Sequence, residues 1–442
     1  MTIHSQNIVP NWNFVQGMIG EVPEFWKATN PRPAQAPIFK LIQENGQKVL
    51  MAGGNGDVNC VGCLHASIPI VLGKTYRMKV EFAVSDDVEP YQNLLFAIYT
   101  EHFNDGIFHY TYSEGHYKGE NTFFIPGDGE INGEVRIYFK LSSQGKAWIK
   151  FVTLEECEAI PPRKARVACV QGMAELENWE RVLEFIGKKG VDLVLLPETF
   201  RSKNFEDAEN IDGPSAALMS SKAKQHRMYV SGTFFHLDQS DGYLYNTGLI
   251  MDRNGQIVGR YDKNHPFTSE LLDGGVAPGE DVPVFDTDFG KIGMMICYDS
   301  WFTDVTELLA LKGAEIILFP SAGYYQSIIP ARASDNCVRI VASSLDCPMG
   351  IWDTSGAEVQ NPNADPTRFA NCDNTFSDVY REEVFGIKIL FASLDLNVSP
   401  SPHNWGGPMR SAPGGRRNRR EQKKGLFDQI QSELTLTKKK GE

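Results

Sequence analysis

The chain of 442 residues has no surplus of positive charge: 43 lysines and arginines stand against 56 aspartates and glutamates, a formal net charge of -13. Phosphate backbones are held by dense cationic faces, so this balance speaks against a nucleic-acid partner. Small-molecule chemistry fits better. Long apolar runs are also missing, since no stretch reaches the ~20 residues needed to span a bilayer. Met1 to Val9 is polar where an export signal would carry a basic patch and an apolar run. Both absences predict a cytoplasmic protein without a membrane partner. The eight cysteines, at 60, 63, 157, 169, 297, 337, 347 and 372, form no dense framework, as expected of free thiols in a reducing compartment. Cys60 and Cys63 make a single CxxC with no second pair nearby, and a zinc site needs two more ligands. His102, His109 and His116 recur every seventh residue, which puts neighbours on opposite strand faces unless a hairpin intervenes. No GxxxxGKS/T loop is present to cradle phosphates. Neither a metal nor a cofactor is expected.

What the chain does hold is apolar residues, 42% of the total, enough at this length for two buried cores. From Asn7 to about Glu158 short runs alternate apolar and polar residues, among them TYRMKVEFAV, EVRIYFKL and AWIKFVTLEE, with turns such as GDGEING between them. Period-two alternation at this spacing predicts an antiparallel sandwich. The run IPPRK at Ile160 to Lys164 ends it, because consecutive prolines cannot continue a central strand. A boundary there gives an all-β module over 1–160 and a second domain over 164–398. In the second domain apolar strands such as VDLVLLPE and EIILFPSA alternate with helical stretches such as NWERVLEFIGKKG and TDVTELLALKGA, the pattern of an α/β layered core. The basic segment 399–442 reads as a solvated or subunit-wrapping tail, with an arm for an acidic partner as the alternative.

Three segments place a reactive residue at the edge of an apolar strand. In DLVLLPETF, Glu198 follows such a strand and a proline, which puts its carboxylate at the carboxyl end of the sheet, where α/β ligand sites form. In GRYDKNHPF, Lys263 ends a strand, and in GKIGMMICYDSWF, Cys297 follows MMI and precedes a helical stretch from Thr303. Taken singly, these are a loop acid, a solvated lysine and an inert buried thiol. Together, in this order and at steps of 65 and 34 residues, they match the three catalytic motifs of the nitrilase superfamily, which the chain resembles from about Arg166 to Asn397. PARASDN at 330–336 looks like that family's Arg-containing helix, and FGIKILFASLDL like its final strand. In the first domain NIVPNWNFVQG, LGKTYRMKVEFAV and KAWIKFVTLEE look like the β-jelly-roll modules related to carbohydrate-binding domains. That likeness implies a saccharide as a candidate partner.

The resemblance implies a four-layer α-β-β-α nitrilase-like sandwich after the all-β jelly-roll domain, and hydrolysis of a small non-peptide amide through a thioester. Cys297 is then the nucleophile, its thiolate favoured by Lys263 and the N-terminus of the following helix. Lys263 and the backbone N–H of Tyr298 hold the oxyanion, while Glu198 acts as base and then acid. Glu270 is implied as a second acid that orients the lysine or the substrate, a solvated loop acid being the bland alternative. Arg332 offers a planar fork for a substrate carboxylate, or else a structural ion pair. Cys-Tyr-Asp and RYDKNHPF are similar to the amidase and N-carbamoyl hydrolase branches, whereas true nitrilases carry Trp-Glu after the cysteine. Thr303 and Asp304 stand where relatives have Pro-Glu, which puts the wall of the substrate pocket in question. The resemblance also implies a homodimer in which TDVTELLALKGA and IIPARASDNCVRI pack across a twofold axis. Competing readings are a nitrilase, an acyl transfer to an amine by the same triad, and a saccharide-binding protein with an inactive hydrolase domain.

Overall fold

The computed structural model describes residues 6–101, 103–107, 110–125, 127–159, 161, 163–359 and 376–397. His102, His109, Cys372 and the expected tail over 399–442 lie outside them. The chain divides into two compact units between residues 161 and 162.

The first unit is built from antiparallel strands: β1 (Lys27–Thr29), β2 (Ile38–Glu44), β3 (Gln47–Gly53), β4 (Val61–Val71) and β5 (Lys74–Val84). A one-turn helix, α1 (Pro90–Asn93), leads into β6 (Leu94–Tyr99), β7 (Asn104–Ile107), β8 (Tyr110–Ser113), β9 (His116–Ile125), β10 (Glu130–Lys140) and β11 (Lys146–Cys157). They form a five-stranded sheet in the order β1-β4-β10-β6-β7 and a six-stranded sheet in the order β2-β3-β11-β5-β9-β8. The alternation in the sequence sorts the side chains. Val135, Ile137 and Phe139 of β10 are buried, whereas Glu134, Arg136 and Tyr138 lie on the other face. Leu64 and Ile137 from one sheet share a core with Leu41 and Phe82 from the other, so the sheets pack face to face.

The second unit begins β12 (Lys164–Gln171), α2 (Leu176–Lys188), β13 (Leu193–Leu195), α3 (Pro214–His226), β14 (Tyr229–Leu237), β15 (Leu244–Met251) and β16 (Ile257–Asp262). It continues α4 (Thr268–Leu272), β17 (Val284–Asp286), β18 (Lys291–Met294), α5 (Asp304–Leu311), β19 (Ile316–Ser321), α6 (Ile328–Asn336), β20 (Arg339–Ser344), β21 (Gly350–Trp352), β22 (Phe376–Val384) and β23 (Ile387–Asp395). The main path of one twelve-stranded sheet is β16-β15-β14-β13-β12-β20-β19-β18-β17. Its parallel strands are buried on both faces, which is why LVLL and IILF read as continuous apolar runs. β12 is the seam, where β13 pairs on one side and β20 joins through the single pair Gln171 and Ser344.

Helices cover the outer faces. Trp179, Val182, Leu183 and Ile186 of α2 recur at helical spacing and join Met219 and Ala223 of α3 against Val194 and Val230. On the other half, a Cβ at Gly293 of β18 would sit 2.6 Å from Leu309 of α5. The inner faces meet as well, because a Cβ on Gly248 of β15 would lie 2.1 Å from Met294 Sδ of β18. Glycine there lets the strands approach. β22 went unnoticed in the sequence because a bulge between Ser377 and Tyr380 breaks its alternation. Among the described residues no helix is long and apolar enough to cross a membrane.

Candidate active site

Lys263 directly follows β16, where its N–H donates to the Asn246 carbonyl and its own carbonyl accepts from Gly279 N–H, both at 2.9 Å. Only glycine fits at 279, since a Cβ would lie 2.1 Å from the Asp262 carbonyl oxygen. The lysine side chain is 1% exposed, and its ammonium lies 2.8 Å from Glu198 Oε1 and 2.6 Å from Glu270 Oε2. Glu270 is held in turn by the Phe267 N–H at 2.6 Å, an acid in the first turn of α4 reaching back to the helix start. Glu198 stands beyond β13, and its Oε2 accepts the Ala322 N–H at 2.7 Å from just past β19. Asn246 of β15 closes the ring, donating through Nδ2 to Glu198 Oε1 at 2.8 Å and to Glu270 Oε1 at 2.7 Å. An amide oxygen turned that way would face carboxylate oxygens. The NH₂ group must therefore point inward, which leaves Oδ1 buried without a donor among the described residues.

Burial works against the Lys263 ammonium, but the carboxylate charges of Glu198 first and then Glu270 outweigh it and hold its pKa above the ordinary lysine value. Cys297 opens a short 3-10 turn, Cys297–Trp301, with φ at +44°. Part of its surface is open, and Sγ lies 3.6 Å from the Gly323 carbonyl oxygen. Burial first, and then the Glu198 charge, push the thiol pKa up to about 12 against the pull of Lys263. Lys263 therefore favours the thiolate, as the resemblance implies, while burial and the Glu198 charge oppose it. The helical N-terminus at Cys297 is that of this short 3-10 turn, since α5 begins seven residues further on. The Tyr298 N–H belongs to the opening of the 3-10 turn, where amides have no partner within the turn.

The Arg332 fork of α6 is engaged by the backbone, since Nε donates to the Ser300 carbonyl at 3.0 Å and Nη2 to the Trp301 carbonyl at 3.2 Å, and it forms no ion pair among the described residues. It braces the turn that carries Cys297. Aromatic rings surround that turn, with edge contacts of 5.2 Å between Phe267 and Tyr298 and 5.1 Å between Trp301 and Tyr325. Sequence reasoning missed Asn246, whose only signal is a polar residue in the buried run NTGLIM. It treated Asp299 as a branch marker, although this side chain is fully buried and heavily bonded. Among the described residues no group of three or more histidine, cysteine or acidic side chains is placed to hold a metal ion.

Comparison with known proteins bears on this arrangement. Residues 166–349 match the carbon-nitrogen hydrolase family. The omega-amidase NIT2 of Xenopus tropicalis is 31% identical over 210 residues, which cover 41% of this chain and 74% of that protein. The omega-amidase NIT3 of Saccharomyces cerevisiae is 30% identical over 215 residues, again 41% and 74%. The crystal structure of Saccharomyces cerevisiae Nit3, a member of branch 10 of the nitrilase superfamily, aligns with a TM-score of 0.43 and 25% identity over 52% of this chain and 90% of that one. The relatives are covered over most of their length, and the matched segment contains the positions of Glu198, Lys263 and Cys297. On that likeness in sequence, the chain belongs to the carbon-nitrogen hydrolases of the nitrilase superfamily and is a hydrolase of the amidase type.

Proposed function

We propose that this chain hydrolyses a small non-peptide amide or N-carbamoyl compound through a thioester on Cys297, releasing ammonia or an amine. The observation that carries the reading is the position of Glu198, whose one carboxylate both pairs with Lys263 and raises the Cys297 thiol. As the substrate carbonyl carbon arrives, the Sγ proton passes to Glu198 and sulfur bonds to that carbon. The carbonyl oxygen gains negative charge opposite Lys263 Nζ and the Tyr298 N–H. When the C–N bond breaks, Glu198 gives its proton to the nitrogen and the amine leaves. A water then adds to the thioester while one of its protons goes to Glu198, and the departing sulfur takes that proton back. Glu270 and Asn246 keep Lys263 and Glu198 in place. The two relatives named as omega-amidases favour an amide over a nitrile. The test is ammonia release from carbamoyl amino acids, ω-amides and aliphatic nitriles, with mass analysis of the quenched protein. An acyl adduct on the Cys297 peptide is expected; turnover that survives Cys297→Ala, or none across the panel, rejects the reading.

The second unit is read as a four-layer α-β-β-α sandwich over 164–398, supported by helices on both outer faces and by the close approach of β15 to β18. The first, over 1–160, is read as a carbohydrate-binding-like module. A cleft of about 540 Å³ on the outer face of its five-stranded sheet supports a saccharide partner, lined by His65, Glu134, Arg136 and Tyr138. The Arg136 nitrogens are already engaged, at 2.7 Å with Glu134 and 3.1 Å with Tyr138, which favours a neutral hydroxylated ligand over an anion. Calorimetric titration with cellohexaose, xylohexaose and mannohexaose tests this, and the absence of heat with all three rejects it. Exposed Trp301, Phe302, Leu308 and Leu311, on the nucleophile turn and α5, support a homodimer through that face. Light scattering at the 49.4 kDa of one chain would rule the dimer out.

A further inference from the structure

We infer that Asp299 is a positioning residue that sets the separation of Lys263 and Cys297. Its carboxylate is fully buried and accepts four hydrogen bonds. Oδ1 takes the His265 N–H at 2.8 Å and the His265 ring Nδ1 at 3.1 Å. Oδ2 takes the Tyr261 hydroxyl at 2.7 Å and the Ile296 N–H at 2.8 Å. Tyr261 and His265 stand two residues before and two after Lys263, while Ile296 immediately precedes Cys297. A single carboxylate thus ties both flanks of the lysine to the stem of the nucleophile turn. No hydrogen bond joins it to Lys263 Nζ or Cys297 Sγ among the described contacts, so its influence runs through the backbone on either side.

The physical need for such a tie is visible in the turn itself. Cys297 holds a left-handed φ of +44°, a strained conformation for a non-glycine residue that persists only where surrounding bonds over-determine it. His265 extends the tie, with its ring 3.3 Å from Asp304 through Nε2 and stacked on Phe302 at 4.2 Å. The hydrogen bond that Asp299 accepts from the ring, and then the charges of Asp299 and Asp304, hold the His265 pKa above its ordinary value against the effect of burial. An oxyanion donor displaced by a fraction of an ångström loses much of its worth in the transition state and little of it in the ground state.

This inference rests on the reading that Lys263 and Cys297 act together, and a double-mutant cycle in the full chain separates the two. The substrate is a chromogenic anilide, on which small residual rates are readable. Asp299→Asn is expected to lower kcat by ~10²-fold with KM within about threefold, the signature of a contribution made in the transition state. In a Lys263→Ala background the same change should cost less than about threefold, because the spacing it guards no longer matters. Tyr261→Phe, which removes one hydroxyl, should lose about tenfold alone and little in that background, and it serves where Asp299→Asn does not fold. Equal losses in both backgrounds, or Asp299→Asn within threefold of the parent, would overturn the inference. Lys263→Ala within tenfold of the parent would instead overturn the functional reading beneath it.

Discussion

Ion pairs occur in both units, but under different conditions. On the sheet faces of the first unit, Lys150 meets Glu81 at 2.7 Å and Lys74 meets Glu156 at 2.9 Å, with side chains 17% to 48% exposed. In the second unit Lys263, Glu198 and Glu270 meet with side chains 1%, 4% and 11% exposed. Pairs of the first kind form at little cost and contribute about 0–1 kcal/mol. Taking charges out of water costs several kcal/mol per ion, and packed apolar residues in their place are often as stable. The buried cluster, moreover, sets two acids against one base and leaves an amide oxygen without a donor among the described residues. Stability alone does not call for such an arrangement, whereas an enzyme that must hold a proton acceptor beside a thiol does.

The comparison breaks most visibly at the thiol. Cys297→Ala is expected to bring amide turnover to background while leaving the thermal unfolding curve unchanged; activity within tenfold of the parent would undo the assignment. Next come Lys263→Ala and Glu198→Gln, each expected to lower kcat/KM by at least ~10²-fold. Their losses should not multiply in the double variant, since the groups act as a unit.

Glu198→Gln also sharpens the electrostatic side, because its two readouts move in opposite directions. The carboxylate charge raises the Cys297 pKa, so its removal lowers that pKa and enlarges the thiolate fraction near neutral pH. Alkylation of Cys297 by iodoacetamide should then be faster than in the parent even as turnover falls. Slower alkylation would mean that the carboxylate does not hold the thiol protonated. Asn246→Ala is expected to cost ~1–3 kcal/mol in urea unfolding, the usual consequence of leaving buried groups unpaired, with roughly tenfold slower turnover. The smallest effect belongs to the first unit, where Lys150→Ala should shift urea stability by no more than ~1 kcal/mol and leave hydrolysis as it was.

How much of this was legible in the sequence depended on whether local pattern or distant contact decided the matter. The alternation in β10 and the helical spacing in α2 set their buried faces directly, so both elements could be read from the chain. Glu198, Lys263 and Cys297 stand at strand ends, a placement that pattern also reveals. Asn246 looked like any polar residue near the start of a strand, because its role arises only from two carboxylates 48 and 24 residues away. The thiol's raised pKa was likewise out of reach. It depends on how deeply the folded chain surrounds Cys297 and how near it brings Glu198. Arg332 carried two expectations, a fork for a substrate carboxylate or a structural ion pair, and its geometry gave the guanidinium to two carbonyls.

The bond between the Ala322 N–H and Glu198 Oε2 bears on how the protein reaches its active form. Glu198 and Ala322 lie 124 residues apart, one beyond β13 and the other beyond β19, on opposite sides of the β12 seam. Helices and hairpins form locally in microseconds, while contacts of this separation wait on the closure of a long loop. Far-UV ellipticity therefore recovers with the local elements as well as with the seam. In the proposed mechanism hydrolysis needs the acid from one half to stand beside the thiol of the other. On dilution from urea, the return of activity becomes a clock for the joining of the two halves, and its half-time should match the slowest phase seen by any spectroscopic probe.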